Sequence, residues 1–182
     1  MARSFSPASA SRFRRWALGT ESPGSLAYLK YLVAQYPDAL IVWAHRRPLE
    51  AISSFSSLVC KLQSGFSNAI NPRAIGEHEA RHFSEIASAG MSDRGALDQR
   101  QVFDVRFSAL CSDPISVIAS LYEHFEMPLS GEAENRMRQY LRQNPRHLYG
   151  RHTYSPENFG LDEIRERELY SEYLSCFDDY LY

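Results

Sequence analysis

Residues 36–58 read YPDALIVWAHRRPLEAISSFSSL, and the rest of the chain is organised around them. Pro37-Asp38 is turn chemistry. Ala39 to Ala44 is an unbroken apolar run, which suits a parallel strand covered on both faces. The run ends in His45, Arg46 and Arg47. Pro48 then opens a Ser-rich segment with apolar residues at Leu49, Ile52, Phe55 and Val59, the spacing of an amphipathic helix with proline in its first turn. A buried strand that delivers cations at its carboxyl end, beside a helix N-terminus, makes a sound anion site. Free N–H groups and the positive end of the helix dipole point at the same spot. In open α/β sheets, ligands sit outside the carboxyl ends of the strands. This stretch is therefore expected to form one wall of a phosphate site.

The flanking pattern is that of an α/β domain. Leu26, Leu29, Leu32 and Val33 mark a helix before the strand, ended by Pro37. Beyond the Ser-rich helix, Gly65, Asn71-Pro72 and Gly76 interrupt the chain, so a loop is expected there, with a helix over residues 75–90. Residues 101–107, QVFDVRF, are the second strand. Asp113-Pro114 opens a helix whose Ile115, Ile118, Leu121, Tyr122 and Phe125 share a face. Ser130 is placed to cap a further helix that runs to Gln143 and stops at Asn144-Pro145. Residues 146–160 make a basic, aromatic loop, and Glu163 to Phe177 the last helix. The order strand, helix, helix, strand, helix, helix is α/β. Residues 1–15, rich in Ser and Arg, are expected to be a flexible leader, and residues 16–182 a single domain.

Composition narrows the function. Hydrophobic residues make up 44% and charged residues 23% of the 182, as in ordinary globular proteins. A net charge of −2 argues against broad nucleic-acid binding, so an anion site has to be local. No apolar run approaches the ~20 residues of a membrane span. A cytoplasmic protein with no membrane or nucleic-acid partner is expected. Cys60, Cys111 and Cys176 are odd in number and far apart, and read as reduced thiols. His78 and His82 share a helical face, but without an HExxH arrangement they read as a solvated surface, and no metal is expected.

Arg46 and Ser54 carry the chemistry. A guanidinium and a hydroxyl converging on one phosphate supply charge and a fixed hydrogen-bond direction. Spacing alone is a weak argument for the pair, since a helical Ser is usually inert. Arg47 is either a second contact or a solvated charge.

As an ordered set, these residues closely resemble the 3′-phosphate-binding segment of sulfotransferases that use 3′-phosphoadenosine-5′-phosphosulfate (PAPS). In that family a strand is followed by Arg, often Asp, then Pro, with a Ser further into the helix. Arg46, Pro48 and Ser54 fall on those positions, and Arg47 departs from the Asp. Asp104 to Leu110, DVRFSAL, is similar to the family's VRYEDL segment, whose aromatic lies near the adenine. Phe107 replaces Tyr and Ser108 replaces Glu, so stacking is kept while a hydroxyl and a carboxylate are lost. Residues 150–155 and 159–161 are similar to the family's C-terminal half, where a basic loop closes over the 3′-phosphate end. The resemblance gives that role to Arg146, Arg151 and His152. The alternative is that the loop merely caps the sheet, with Tyr149 and Tyr154 packed inside. The resemblance spans residues 22–178. It implies a P-loop NTPase-like three-layer sandwich with a short parallel sheet and PAPS as co-substrate without a metal. The reaction would be sulfuryl transfer to a hydroxyl or amine of a small molecule or glycan.

One family feature is not found in these residues. A Gly-rich turn with a Lys or Arg grips the 5′-phosphosulfate there, and Gly19-Thr-Glu-Ser-Pro-Gly24 lacks the cation. Trp16, Leu18 and Pro23 align better with the family's later Trp-x-Leu-Lys-x-Pro segment, which puts Gly19 at the Lys position. The expectation is a chain resembling the C-terminal two-thirds of a sulfotransferase, N-terminally truncated relative to that fold. Its transfer is impaired, or it is a noncatalytic nucleotide-binding or interaction remnant. His45 is the weak remaining candidate for a base, since the neighbouring Arg46 favours its neutral form. Packing or phosphate contact are its other roles. A sheet edge left open at the front is a route to homo-oligomers.

Overall fold

Two short strands pair in parallel at the centre of a mostly helical architecture. The structure, a computed structural model, describes residues 23–145 and 154–182. Strand β1 (Ile41–His45) lies beside β2 (Val102–Arg106), with Ile41 opposite Val102 and His45 opposite Arg106. A 3-10 turn at Pro23–Tyr28 runs into helix α1 (Leu29–Gln35) ahead of β1. Parallel strands need a crossover, here supplied by α2 (Pro48–Ser64) and α3 (Pro72–Arg94). After β2 come α4 (Phe107–Ser112), α5 (Pro114–His124) and α6 (Gly131–Gln143). A 3-10 turn at Pro156–Phe159 then leads to α7 (Glu163–Cys176) and α8 (Asp178–Leu181).

Local chemistry explains most of these boundaries. Asp113, Ser130 and Asp162 each accept a backbone N–H from three residues on, at 3.3, 3.1 and 2.8 Å, and so start α5, α6 and α7. Asn71 does the same for Ala74 at 3.2 Å, with Pro72 in the first turn. Asn71-Pro72 is thus a helix start rather than a break, and α3 begins earlier than the turn residues suggest. Gly76 sits inside α3 for a packing reason. A Cβ there would lie 2.2 Å from the Phe159 carbonyl oxygen, so only glycine lets the 3-10 turn press against the helix.

Pleating sends alternate residues of β1 to opposite faces. Trp43 and His45 point into a core that also holds Ile52, Ala80, Phe159, Leu161, Tyr170, Tyr173 and Phe177. An aromatic such as Trp43 buries roughly 150–250 Å², which at about 25 cal/mol per Å² contributes about 4–6 kcal/mol before ordering entropy. On the other face Phe103 packs against His124 and Phe125, at centroid distances of 5.3 and 6.3 Å. Val42 and Ala44, however, stay exposed. The double-sided cover expected of β1 is therefore found on one face only among the described residues. β2 ends at Arg106, one residue earlier than its pattern suggests, because Phe107 already turns into α4. No helix among the described residues is long and apolar enough to cross a membrane.

Candidate functional site

The carboxyl end of β1 splits three consecutive side chains into three environments. His45 points inward, is 1% exposed and has both ring nitrogens engaged. Nε2 lies 2.7 Å from Asp104 on β2, and Nδ1 lies 2.9 Å from the Tyr173 hydroxyl on α7. Against an ionised carboxylate Nε2 carries the proton, so in the neutral ring Nδ1 accepts the Tyr173 O–H. Arg94 of α3 closes the cluster with bonds of 2.9 and 2.5 Å to Asp104. Partial burial raises the Asp104 carboxyl, but hydrogen bonds from His45 and Arg94 outweigh it and hold it below the usual carboxylate range. Burial, helped by the Asp104 charge, pushes the Tyr173 phenol up, so it stays a donor. The imidazole stacks between Trp43 and Phe177, at 5.3 and 4.1 Å. Weighed as a base, His45 is thus enclosed and fully occupied in this conformation.

Arg46 lies just beyond the strand and faces the other way. Its Nη2 donates to the Tyr154 hydroxyl at 2.9 Å, and its Nε makes a long 3.4 Å contact with Glu50. The guanidinium sits 5.0 Å from the centroid of the Phe107 ring. Arg46 and Phe107, separated by the whole crossover, therefore meet where β1 and β2 end. Ser54 is half-buried on α2, one turn after Glu50 and on the same stripe of the helix. Arg146, Arg151 and His152 lie outside the described residues. Tyr154 follows that stretch, is half-buried against the core and still reaches Arg46 with its hydroxyl.

Arg47 is neither a solvated charge nor turned toward Arg46's partners. Its Nε and Nη2 bind one carboxylate oxygen of Glu166 at 3.0 and 2.9 Å, and Nη2 also reaches Glu163 at 3.0 Å. Burial would pull this guanidinium down, but the hydrogen bonds it donates to Glu166 and Glu163 hold it above its ordinary value. The other oxygen of Glu166 accepts the Leu49 N–H at 2.7 Å. The amide expected to face a bound anion is thus satisfied from within. Glu166 and Tyr154 were not readable as site partners from local pattern. Each lies more than a hundred residues from its arginine, by 119 and 108 positions.

Among the described residues, the remaining polar groups add no second centre. Ser53 and Ser56 are fully buried in α2, and Ser53 bonds back to the Leu49 carbonyl at 2.6 Å. The His78 and His82 rings lie side by side at 6.1 Å on α3. No group of three metal-ligating side chains occurs among the described residues.

A sequence model of the Sulfotransferase family matches residues 2–131. The sulfotransferase STF9 from Mycobacterium avium is similar in structure, with a TM-score of 0.76 and 26% identity over 86% of this chain and 41% of that one. The sulfotransferase STF1 from Mycobacterium tuberculosis H37Rv is similar at TM-score 0.69 and 28% identity, over 83% of this chain and 38% of that one. The chain spans about two fifths of the length of these solved relatives. No curated protein matches it.

Proposed function

The chain belongs to the sulfotransferase family, and from that premise we propose that it holds the 3′-phosphate end of PAPS with Arg46, Ser54 and Phe107. The reading is carried by one observation. Arg46 lies over Phe107 at the point where the two strands end, which is where α/β sheets hold ligands. The site has spare capacity. Tyr154 accepts from Arg46 and keeps its own proton for a phosphate oxygen. The long Arg46–Glu50 contact is exposed and weak, so a phosphate can take its place. Arg146, Arg151 and His152 belong to this reading as the closing loop.

The reaction proposed for the site is sulfuryl transfer to a hydroxyl or amine of a small molecule or glycan, in the cytoplasm. Sulfuryl transfer, like phosphoryl transfer, needs position and charge neutralisation more than covalent help. The 182 residues hold no Gly-rich turn bearing a cation for the 5′-phosphosulfate. Transfer by these residues alone is therefore weak. A second reading, a noncatalytic nucleotide-binding or interaction domain, is favoured by the same observation.

Thermal unfolding with 3′-phosphoadenosine-5′-phosphate tests the site. At a hundredfold excess over Kd the stabilisation is about 2.7 kcal/mol, roughly 5–10 °C for a domain of this size. Arg46→Ala removes most of that shift. An equal shift in wild type and variant sinks the assignment, and no shift in wild type at millimolar ligand favours the interaction reading. Labelled sulfate transfer from PAPS to pooled acceptors separates the transferase from the binder.

A further inference from the structure

The β1–α2 turn has an unusual solution to an ordinary problem. The first N–H groups of a helix lack intrahelical partners and are normally met by an Asp, Asn, Ser or Thr side chain at the cap. Here the cap position is Arg47, whose side chain only donates and makes no cap bond. Each amide of the first turn can be followed. Pro48 has none, Glu50 and Ala51 both donate to the Arg47 carbonyl at 3.1 Å, and Leu49 is left over. Glu166, reaching across from α7, accepts that amide at 2.7 Å. The same carboxylate, with its side chain 2% exposed, neutralises Arg47.

The consequence concerns Arg46, which lies between two anchored neighbours. His45 is tied to Tyr173 and Arg47 to Glu166, and both partners belong to α7, on either side of its kink at Tyr170. We propose that Glu166 is a positioning residue: it caps α2 from a distant helix and, by holding Arg47 aside, aims Arg46 at the Phe107–Tyr154 side of the turn. This rests on the reading of Arg46 as a phosphate ligand, and it adds that the last helix controls the ligand's grip without touching it.

A rescue variant can be designed from the geometry. Glu166→Met keeps the side chain's length among the apolar Leu49, Ile52, Leu161 and Leu169 but removes the acceptor. Arg47, still partly exposed, can hydrate. Adding Arg47→Asp returns a carboxylate to the cap position itself, with no Glu166 charge to repel it. The full chain is measured in two ways, by 3′-phosphoadenosine-5′-phosphate titration and by amide hydrogen exchange at Leu49. In E166M, affinity falls about tenfold, or about 1.4 kcal/mol, and Leu49 exchanges at least about tenfold faster. In R47D/E166M both return to within about threefold of wild type. A purely packing role for Glu166 predicts no recovery, so a double variant as weak as E166M overturns the proposal. Wild-type affinity in E166M overturns it as well. If wild type itself binds no nucleotide, the phosphate reading fails first. The exchange rates then still decide the cap, and unchanged exchange in E166M refutes it.

Discussion

Two polar clusters are built on the same strand end, and they differ in what they leave unused. The inner one, His45 with Asp104, Arg94 and Tyr173, lies beneath Trp43 and Phe177, and both ring nitrogens of its histidine are matched inside the protein. The outer one joins Arg46, Glu50, Tyr154 and Phe107, and is partly open to solvent. Adjacent residues feed them, so the alternation of side chains along β1 does the sorting. A matched buried network rigidifies and has nothing to offer a ligand, whereas one left half-matched at the surface can bind. The inner cluster is scaffold for the outer, and the two should respond oppositely to perturbation.

The sharpest way to break that division is His45→Ala. It removes a fully buried ring, two hydrogen bonds and two stacking contacts, and leaves Tyr173 without its acceptor. A loss of about 3–4 kcal/mol is expected, roughly 10 °C in Tm. Calorimetry or chemical denaturation measures it. A loss below about 1 kcal/mol would mean that the inner cluster is not what holds the strand end.

Acid offers a milder and reversible version. Asp104 has a folded-state pKa below its ordinary value, so the stability it contributes is present above the unfolded pKa of about 3.9 and is lost as pH falls through the folded value. Denaturation midpoints are expected to hold from pH 7 to about 4 and to fall below that. Exposed carboxyls such as Asp98 and Asp113 are lowered too. The part belonging to the inner cluster is therefore what Asp104→Asn removes from the acid slope. An identical slope in the variant would detach Asp104 from the effect.

The two clusters also differ in how far the sequence disclosed them. The apolar run, the prolines and the caps Asp113 and Ser130 placed both strands and most helices, because these signals act within a few residues. The strand-end pattern singled out Arg46 and, more weakly, Ser54 as candidates, whereas Phe107 was singled out by the resemblance to a family. Asn71-Pro72 was ambiguous because the same dipeptide serves to break a chain and to begin a helix. Gly76 read as an interruption because its reason, the Phe159 backbone, lies more than eighty positions away. Tyr173 and Glu166 were not readable as partners, since each meets its residue only once the helix that carries it has folded back on β1, and Tyr154 reaches Arg46 from 108 positions away. Long-range closure of this kind leaves no local periodicity to detect.

Tyr154→Phe is the smallest change and the most discriminating. The ring stays in its half-buried place against the core, and only the hydroxyl that Arg46 reaches at 2.9 Å is lost. Arg46 is partly exposed and can replace that bond with water, so stability should change by less than about 1 kcal/mol. In the proposed site, nucleotide binding would have no such substitute. The hydroxyl both steadies the guanidinium and carries a proton free for a phosphate oxygen, and its loss should weaken 3′-phosphoadenosine-5′-phosphate about fivefold, or about 1 kcal/mol. Titration calorimetry and thermal unfolding on the same variant separate the two quantities. A fall in Tm comparable to that of His45→Ala, with affinity intact, would place Tyr154 in the scaffold and erase the boundary between the clusters. Weakened binding with an unmoved Tm would locate that boundary between His45 and Arg46.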